Sequence, residues 1–199
     1  PPEEVMEAPL WAEPLRDPSV RVCVALHEGE VVGATEYRYL ESLNVAVTDF
    51  TIVGKPGLGI GRFLAERRLR DLERMAPPGR KILGMFAEVY DPYQTIPQGF
   101  DFGGILPINP FVRREVLSHM GYMRLDFPYV HPSWKNDGTP VTGLDLCFLP
   151  FGEPTDSLPA ALVVEFLRTY YSVLENKPEA WHRMIADLLE RDTVALKPI

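Results

Sequence analysis

The residues with the clearest potential for chemistry form a glycine-rich turn between an extended segment and a helical one. A strand-like run at residues 48–53 precedes the turn at residues 54–61, and an amphipathic segment begins at Arg62. Main-chain N–H groups at a helix N-terminus lack intrahelical partners and lie at the positive end of the helix dipole, so they can bind phosphate oxygens. Glycine lets the backbone approach a ligand closely and adopt positive φ. The order of strand, turn and helix therefore predicts a phosphate-binding loop.

Two better-known glycine-rich phosphate motifs do not fit this segment. The dinucleotide pattern GxGxxG requires glycine at the position of Arg62, and the pattern GxxxxGK[ST] does not occur in the chain. The spacing of Gly57, Gly59 and Gly61 follows neither pattern. One alternative stays open, in which the glycines only make a strand-to-helix turn tight.

Hydrophobic patterns predict a mixed α/β chain with no internal repeat. Turn residues around 27–30 predict a β-hairpin, and the period changes from two to 3.6 after the glycine-rich loop. Predicted strands cover residues 21–26, 31–39, 44–53, 82–89, 122–130 and 141–149, with a further edge strand at 193–199. Predicted helices cover the segment from the loop to Pro77, residues 111–120, and two C-terminal stripes centred on Leu167 and Ile185.

Composition excludes several classes of protein. The formal net charge of −8 repels a polyanion, so nucleic acid is not expected as a partner. Cys23 and Cys147 are far apart and form no CxxC pair, and the four histidines lack metal-ligand spacing, so no metal site is predicted. The chain has no apolar run of about 20 residues and no signal-peptide pattern, so we expect a cytoplasmic protein without a membrane segment.

The glycine-rich loop resembles the coenzyme A loop of the GNAT superfamily of N-acyltransferases, usually written [RQ]xxGx[GA]. The order of elements over residues 20–150 is also similar to that family, as is the helical segment 109–122, which ends in Gly-Tyr before a strand. The sequence departs from the pattern at two places. Pro56 stands where Arg or Gln is usual, and Leu117 stands where many members carry a proton-donating Tyr. The family's first strand and helix are not recognisable before Arg21.

The resemblance implies a GNAT-like fold, with a mixed, largely antiparallel central sheet flanked by helices, and acetyl-CoA or coenzyme A as cofactor. It implies that main-chain groups of Ile52 and Val53 pair with the pantetheine arm. The remaining cofactor contacts are expected from the loop and the first residues of the helix: Gly54, Lys55, Gly57, Leu58, Gly59, Ile60, Gly61 and Arg62.

Acyl transfer to an amine requires a base, and Glu88 is the first choice because apolar neighbours on its predicted strand could raise its pKa. The alternative is a structural carboxylate paired with Arg113 or Arg114. Tyr90, Tyr122 and Tyr129 are the candidate proton donors, with Tyr90 and Tyr122 preferred, although aromatic residues in strands often only fill a core.

The sequence therefore predicts an N-acyltransferase that moves an acyl group, by expectation acetyl, from coenzyme A to a primary amine by direct attack. Two alternatives stay open: an acyl-coenzyme A sensor without catalysis, and an enzyme that takes a long-chain acyl group or an acyl carrier protein. The loop at residues 90–110 is predicted to form a wall of the acceptor site. Residues 1–150 are expected to form the acyltransferase domain, and residues 151–199 a helical extension that packs on it or makes a homodimer. The expected acceptor is a small-molecule or peptide amine.

Overall fold

The computed structural model describes residues 11–95 and 109–199 of the 199-residue chain. The described residues divide into two compact units, one that ends at Ala87 and one that begins at Glu88. Most of the loop predicted at residues 90–110 lies outside the described residues. The predicted organisation, with a domain at residues 1–150 and an extension at residues 151–199, stays a prediction.

The first unit is a sheet covered by one long helix. After a 3₁₀ turn at Pro14–Arg16, its elements are β1 (Val20–His27), β2 (Glu30–Leu40), β3 (Val45–Thr48), β4 (Thr51–Val53), α1 (Ile60–Met75) and the first part of β5 (Gly84–Tyr90). β1 and β2 form the predicted hairpin, which is confirmed. Its two turn residues, Glu28 and Gly29, both have positive φ, at 53° and 84°. Positive φ at both central residues is the requirement of a type I′ hairpin turn.

The prediction of one continuous strand over residues 44–53 is wrong, because a β-bulge divides it. β2 pairs with β3 from Arg38↔Val47 and with β4 from Thr35↔Thr51. Three steps along β2 therefore correspond to four steps along its partner, so one extra residue is inserted between β3 and β4. β3 also pairs in parallel with β5, whereas β4 pairs only with β2 among the described strands. The outer edge of β4 thus has no strand beside it in that part of the chain.

α1 follows the predicted amphipathic pattern and ends before Pro77, which confirms the predicted helix. It packs on β1, β2 and β4, and Leu64 forms a core cluster with Ala25 and Val32. The helix approaches β2 closely at Gly33, where an added Cβ would lie 2.6 Å from Ile60 Cγ2 and 2.8 Å from the Ile52 carbonyl oxygen. Glycine at this position is therefore required by the packing of helix on sheet.

The second unit contains the rest of the chain. Its elements are the end of β5, then α2 (Pro92–Thr95), α3 (Pro110–His119), β6 (Met123–Leu125), β7 (His131–Pro132), β8 (Pro140–Val141), β9 (Leu144–Pro150), β10 (Ser157–Pro159), α4 (Ala160–Tyr170), α5 (Glu179–Leu189) and β11 (Thr193–Pro198). The strand order β9-β6-β11-β10 is antiparallel throughout, and β7 pairs with β8.

Two predictions in this unit need correction. The strand predicted at 122–130 is limited to Met123–Leu125, because the Asp126 N–H donates to the Ala195 carbonyl and the chain then turns. The predicted edge strand at 193–199 is flanked on both sides, since its first half pairs with β10 and its second half with β6. Buried Val194 and Leu196 fix its register. Both C-terminal helices are confirmed, and α4 packs on α5.

Candidate functional site

The glycine-rich loop of the first unit leaves the start of α1 without internal hydrogen-bond partners. Gly57 and Gly59 have φ of 86° and 68°, and Gly59 is the residue that precedes the first helical turn. The first main-chain bond of the helix runs from the Phe63 N–H to the Gly59 carbonyl at 3.0 Å. In the described part of the chain, the three preceding N–H groups, at residues 60–62, donate to no main-chain carbonyl and no side chain caps them.

These N–H groups point from the positive end of a 16-residue helix, an arrangement that suits an anion. The loop is also open, because an added Cβ at Gly57 or Gly59 would meet no atom within 4 Å. Lys55 and Leu58 are exposed, and no acidic residue lies in the first helical turn. The loop therefore has the free donors and the space that a phosphate group needs.

The strand that leads to this loop presents a free edge and a bulge. Ile52 is 58% exposed and lies in β4, whose outer edge is unpaired among the described strands. At the bulge, the Phe50 carbonyl accepts the Glu36 N–H at 3.0 Å and the Thr35 hydroxyl at 3.1 Å. The Phe50 N–H donates to no main-chain carbonyl in the described residues. A bulge beside a ligand loop is a common device for aiming backbone groups at a site.

Glu36 lies opposite the bulge and is almost completely buried, with 1% of its surface exposed. Its Oε2 accepts the Asp49 N–H at 3.1 Å, whereas its Oε1 has no hydrogen-bond partner. Burial, followed by the charge of Asp49, raises the pKa of Glu36 to about 8. Glu36 is therefore a buried acid that holds its proton at neutral pH.

In the second unit, Glu88 lies at the centre of a hydrogen-bonded cluster. Its Oε1 accepts the hydroxyl hydrogens of both Tyr129 and Tyr171, and the two hydroxyl oxygens lie 2.6 Å apart. His131 Nε2 lies 3.5 Å from Glu88 Oε2. We name Glu88, Tyr129, Tyr171 and His131 the Glu88 cluster. All four come from one unit, and their positions are fixed by β5, the segment after β6, β7 and the end of α4.

Exposure differs within the Glu88 cluster. The Glu88 side chain is 20% exposed, whereas Tyr171 and His131 are buried. Burial and the nearby Glu88 carboxylate hold the pKa of Tyr171 well above its ordinary value, so its hydroxyl keeps its proton and donates. Aromatic rings surround the cluster, with Trp134 5.7 Å from Tyr171 and 6.2 Å from His131 between centroids. Glu88 is thus the member that a small molecule can reach.

The other two predicted catalytic residues, Tyr90 on the same strand and Tyr122, form no hydrogen bond with Glu88 within the described ranges. In the described part of the chain the partners of Glu88 are Tyr129, Tyr171 and His131, and neither Tyr90 nor Tyr122 is among them. Tyr122 is 2% exposed and lies between α3 and β6. The alternative role for Glu88 was to pair with an arginine on α3. Arg114 instead forms an ion pair with Asp145 at 2.8 Å.

Sequence reasoning missed Tyr171, His131 and Glu36, and it placed Arg68 wrongly, on a basic helix face that is solvated or touches the cofactor, whereas Arg68 is 3% exposed. A signal existed for Arg68, because it lies on the buried stripe of α1 with Leu64 and Leu72, and a cation at such a position needs internal partners. A weaker signal existed for Tyr171, which continues the apolar stripe of α4, since a buried tyrosine hydroxyl usually finds a partner. No local pattern marks Glu36 or His131.

The structure is similar to solved acetyltransferases. A protein assigned to the GNAT family of acetyltransferases from Bacteroides thetaiotaomicron matches with a TM-score of 0.55 and 16% identity, over 88% of this chain and 84% of that one. The ribosomal-protein-S18-alanine N-acetyltransferase of Escherichia coli matches with a TM-score of 0.47, 14% identity and coverage of 75% and 80%. An aminoglycoside 6′-N-acetyltransferase complexed with coenzyme A matches with a TM-score of 0.45, 14% identity and coverage of 77% and 86%.

This chain therefore has the fold of the GNAT acetyltransferases, and the predicted mixed α/β class, with mostly antiparallel strands and helices against them, is confirmed. At the level of sequence, no family model and no curated protein matches it. Within the described ranges, no group of three or more His, Cys, Asp or Glu side chains could hold a metal ion. None of the helices at residues 11–95 and 109–199 has the length and apolar character needed to cross a membrane.

Proposed function

We propose that the protein is an acyl-coenzyme A-dependent N-acyltransferase whose acceptor is a primary amine. The observation that carries the proposal is the group of unpaired N–H groups at the start of α1, on a chain with the GNAT fold. They form an anion site at the end of a strand with a free edge, and an acyl-coenzyme A offers both a diphosphate and an extended amide-bearing arm. We propose acetyl as the acyl group and a cytoplasmic location.

The diphosphate binds to the N–H groups at residues 60–62, supported by Gly57, Gly59 and the ammonium of Lys55. Because Pro56 replaces the family's Arg or Gln, Lys55 is the only cation within the loop itself. Gly54 and Leu58 complete the contact surface. The amides of the pantetheine arm pair with the free edge of β4 at Ile52 and Val53, where main-chain groups are available.

The acyl carbonyl is then polarised at the bulge, where the Phe50 N–H has no main-chain acceptor in the described residues. The amine nitrogen attacks the thioester carbon, the C–S bond breaks, and the nitrogen loses one proton. The departing thiolate gains one proton, so the reaction needs both an acceptor and a donor of protons.

Glu88 is the proposed proton acceptor. It is a partly exposed carboxylate whose Oε1 is oriented by two tyrosine hydroxyls and whose Oε2 lies 3.5 Å from His131 Nε2. Tyr90 and Tyr122 stay the predicted proton donors for the thiolate, because Tyr129, the third tyrosine of this region, already donates to Glu88.

The decisive experiment measures release of free thiol from acetyl-CoA in the presence of a panel of primary amines, with product detected by mass spectrometry. We expect thiol release that depends on the amine and yields the N-acetyl product. Tight binding of acetyl-CoA without turnover on any amine would favour the sensor. Turnover only with long-chain acyl donors or acyl carrier protein would correct the donor while keeping the reaction.

A further inference from the structure

Arg68 is a buried cation of the first unit that no carboxylate neutralises. It lies on the inner face of α1, and only 3% of its surface is exposed. It forms no ion pair in the described part of the chain, and its Nε has no hydrogen-bond partner. Burying a charge without a counter-charge is unfavourable. A buried arginine therefore indicates a role that a smaller apolar side chain could not fill.

The Arg68 guanidinium instead binds three threonine hydroxyls through a single nitrogen. Nη1 lies 3.0 Å from the Thr35 hydroxyl oxygen, 2.9 Å from that of Thr48 and 3.0 Å from that of Thr51, so its two hydrogens serve three acceptors and one of them is shared. The three threonines come from β2, β3 and β4, so one side chain of α1 ties together the three strands that meet at the bulge.

The same threonines connect this guanidinium to the backbone of the bulge. Thr35 donates to the Phe50 carbonyl at 3.1 Å, and Thr48 donates to the Glu36 carbonyl at 2.7 Å. Thr48 is the last residue of β3 and Thr51 the first of β4, so Arg68 holds both sides of the inserted residue. A chain of two hydrogen bonds therefore runs from Arg68 to the Phe50 carbonyl, which lies in the peptide group next to the one that carries the Phe50 N–H.

We propose that Arg68 is a positioning residue that fixes the bulge at Asp49–Phe50 and, through it, the main-chain donor that the acyl carbonyl requires. This inference rests on the proposed function for its catalytic consequence, although the structural part stands alone. Arg68 itself touches no substrate in this account. It acts through the threonine hydroxyls, which hold the Phe50 carbonyl and thereby the backbone of the bulge that carries the Phe50 N–H.

Methionine at position 68 keeps the length and apolar packing of the stem and removes all donors, whereas lysine restores the charge and can reach some of the hydroxyls. Arg74→Met is the matched control, because Arg74 lies on the same helix and is exposed. Circular dichroism and thermal unfolding of each variant establish that it is folded.

The first measurement is amide hydrogen exchange across residues 49–51 without any ligand, with the Asp49 N–H, which donates to Glu36 Oε2, as the reporter. We expect exchange to accelerate about tenfold or more in Arg68→Met, to return part of the way in Arg68→Lys, and to stay unchanged in Arg74→Met. Unchanged exchange in a folded Arg68→Met would overturn the proposal whether or not the protein is an enzyme.

The second measurement compares kcat and KM with acetyl-CoA. We expect kcat of Arg68→Met to fall about 30- to 100-fold, while the Kd for coenzyme A changes less than about threefold, because misplacing one donor affects the transition state and not the diphosphate site. Equal losses in kcat and in coenzyme A affinity would show that the substitution disrupts the whole first unit, and this would overturn a specific positioning role. If Arg68→Met does not fold, Thr51→Val and Thr35→Val are measured in the same way, with loss of protection at Asp49 supporting the proposal and retained protection opposing it.

Failure of the proposed function is distinguishable from failure of this inference. A wild-type protein that transfers no acyl group, yet loses protection at residues 49–51 when Arg68 is changed, keeps the positioning role and refutes the acyltransferase.

Discussion

Each unit contains a carboxyl group with few solvent contacts, and the two groups differ in burial and in the number of donors around them. Glu36 in the first unit is 1% exposed, accepts one N–H at Oε2, has no partner at Oε1, and lies beside a second carboxyl group. Glu88 in the second unit is 20% exposed and has two hydroxyls and an imidazole beside it. A deeply buried carboxyl group with one donor keeps its proton more readily than one in water. A partly exposed carboxylate oriented by several donors suits the role of proton acceptor that we propose for Glu88.

In the proposed function, the first unit supplies main-chain donors, and the second supplies a side-chain carboxylate for acid–base chemistry. On this division, changes in the first unit should act on cofactor affinity, strand geometry or stability, and changes at the Glu88 carboxylate should act on kcat and its pH dependence.

The largest expected effect follows from Glu88→Gln. The amide keeps the size of the side chain and can still accept the tyrosine hydroxyls, but it cannot take a proton from the amine. We expect kcat to fall about 10²- to 10⁴-fold with coenzyme A affinity unchanged. Steady-state kinetics and calorimetry measure the two quantities. A variant that keeps its kcat would show that another residue is the base and that Glu88 of the second unit does not supply it.

A smaller effect follows from Glu36→Gln, and it concerns stability. Burial and Asp49 raise the pKa of Glu36 from its ordinary value of 4.5 to about 8, with Arg38 opposing the rise. Between those two pH values the folded state holds a proton that the unfolded state has released, so the stability contributed by Glu36 is complete below pH 4.5 and is lost as pH rises through 8.

Glutamine has no proton to lose, so Glu36→Gln should remove this slope. Relative to wild type, we expect a gain in the free energy of unfolding of on the order of 1–3 kcal/mol at pH 8, and no gain at pH 4. Urea unfolding at several pH values measures it. An equal difference at both ends of the range would mean that Glu36 is not a buried neutral acid.

The smallest effect concerns the two thiols, one in each unit. Burial raises the pKa of Cys147 to about 12, and Cys147 is completely buried, whereas Cys23 is partly exposed and 3.3 Å from the Tyr37 hydroxyl. A thiol reagent should therefore modify one residue in the native protein and the second only after unfolding. Rapid native modification of Cys147, read by mass spectrometry, would contradict the packing of β9.

The sequence predicted the elements whose pattern is local. The hairpin turn at Glu28-Gly29, the apolar stripe of α1 and both C-terminal helices could be read from period and turn chemistry, and the structure confirms them. The bulge could not be predicted, because residues 44–53 are uniformly compatible with a strand. What divides them is a one-residue shift against β2 that depends on the hydroxyls and carboxyl group packed around it.

The candidate site divides in the same way. The loop with its glycines is contiguous in sequence, so its geometry was predictable from a motif. The partners of Glu88 lie 41 and 83 residues further along the chain, and no local pattern links them. Arg68 is intermediate, since its helix was predicted but its burial was not, and its three threonine partners belong to other strands.

The most direct test of the central claim is a calorimetric comparison of coenzyme A binding to Gly59→Asn and Gly59→Asp. Both residues tolerate the left-handed backbone at this position better than other side chains do, and no atom within 4 Å obstructs them. The two side chains have the same size and differ in charge, so the backbone strain is shared by both variants. If free amides at this helix start bind a diphosphate, Gly59→Asn should weaken coenzyme A binding only several-fold, and Gly59→Asp by about 100-fold or more, with the two variants similar in thermal stability. Equal affinities of the two variants would show that the loop is only a turn.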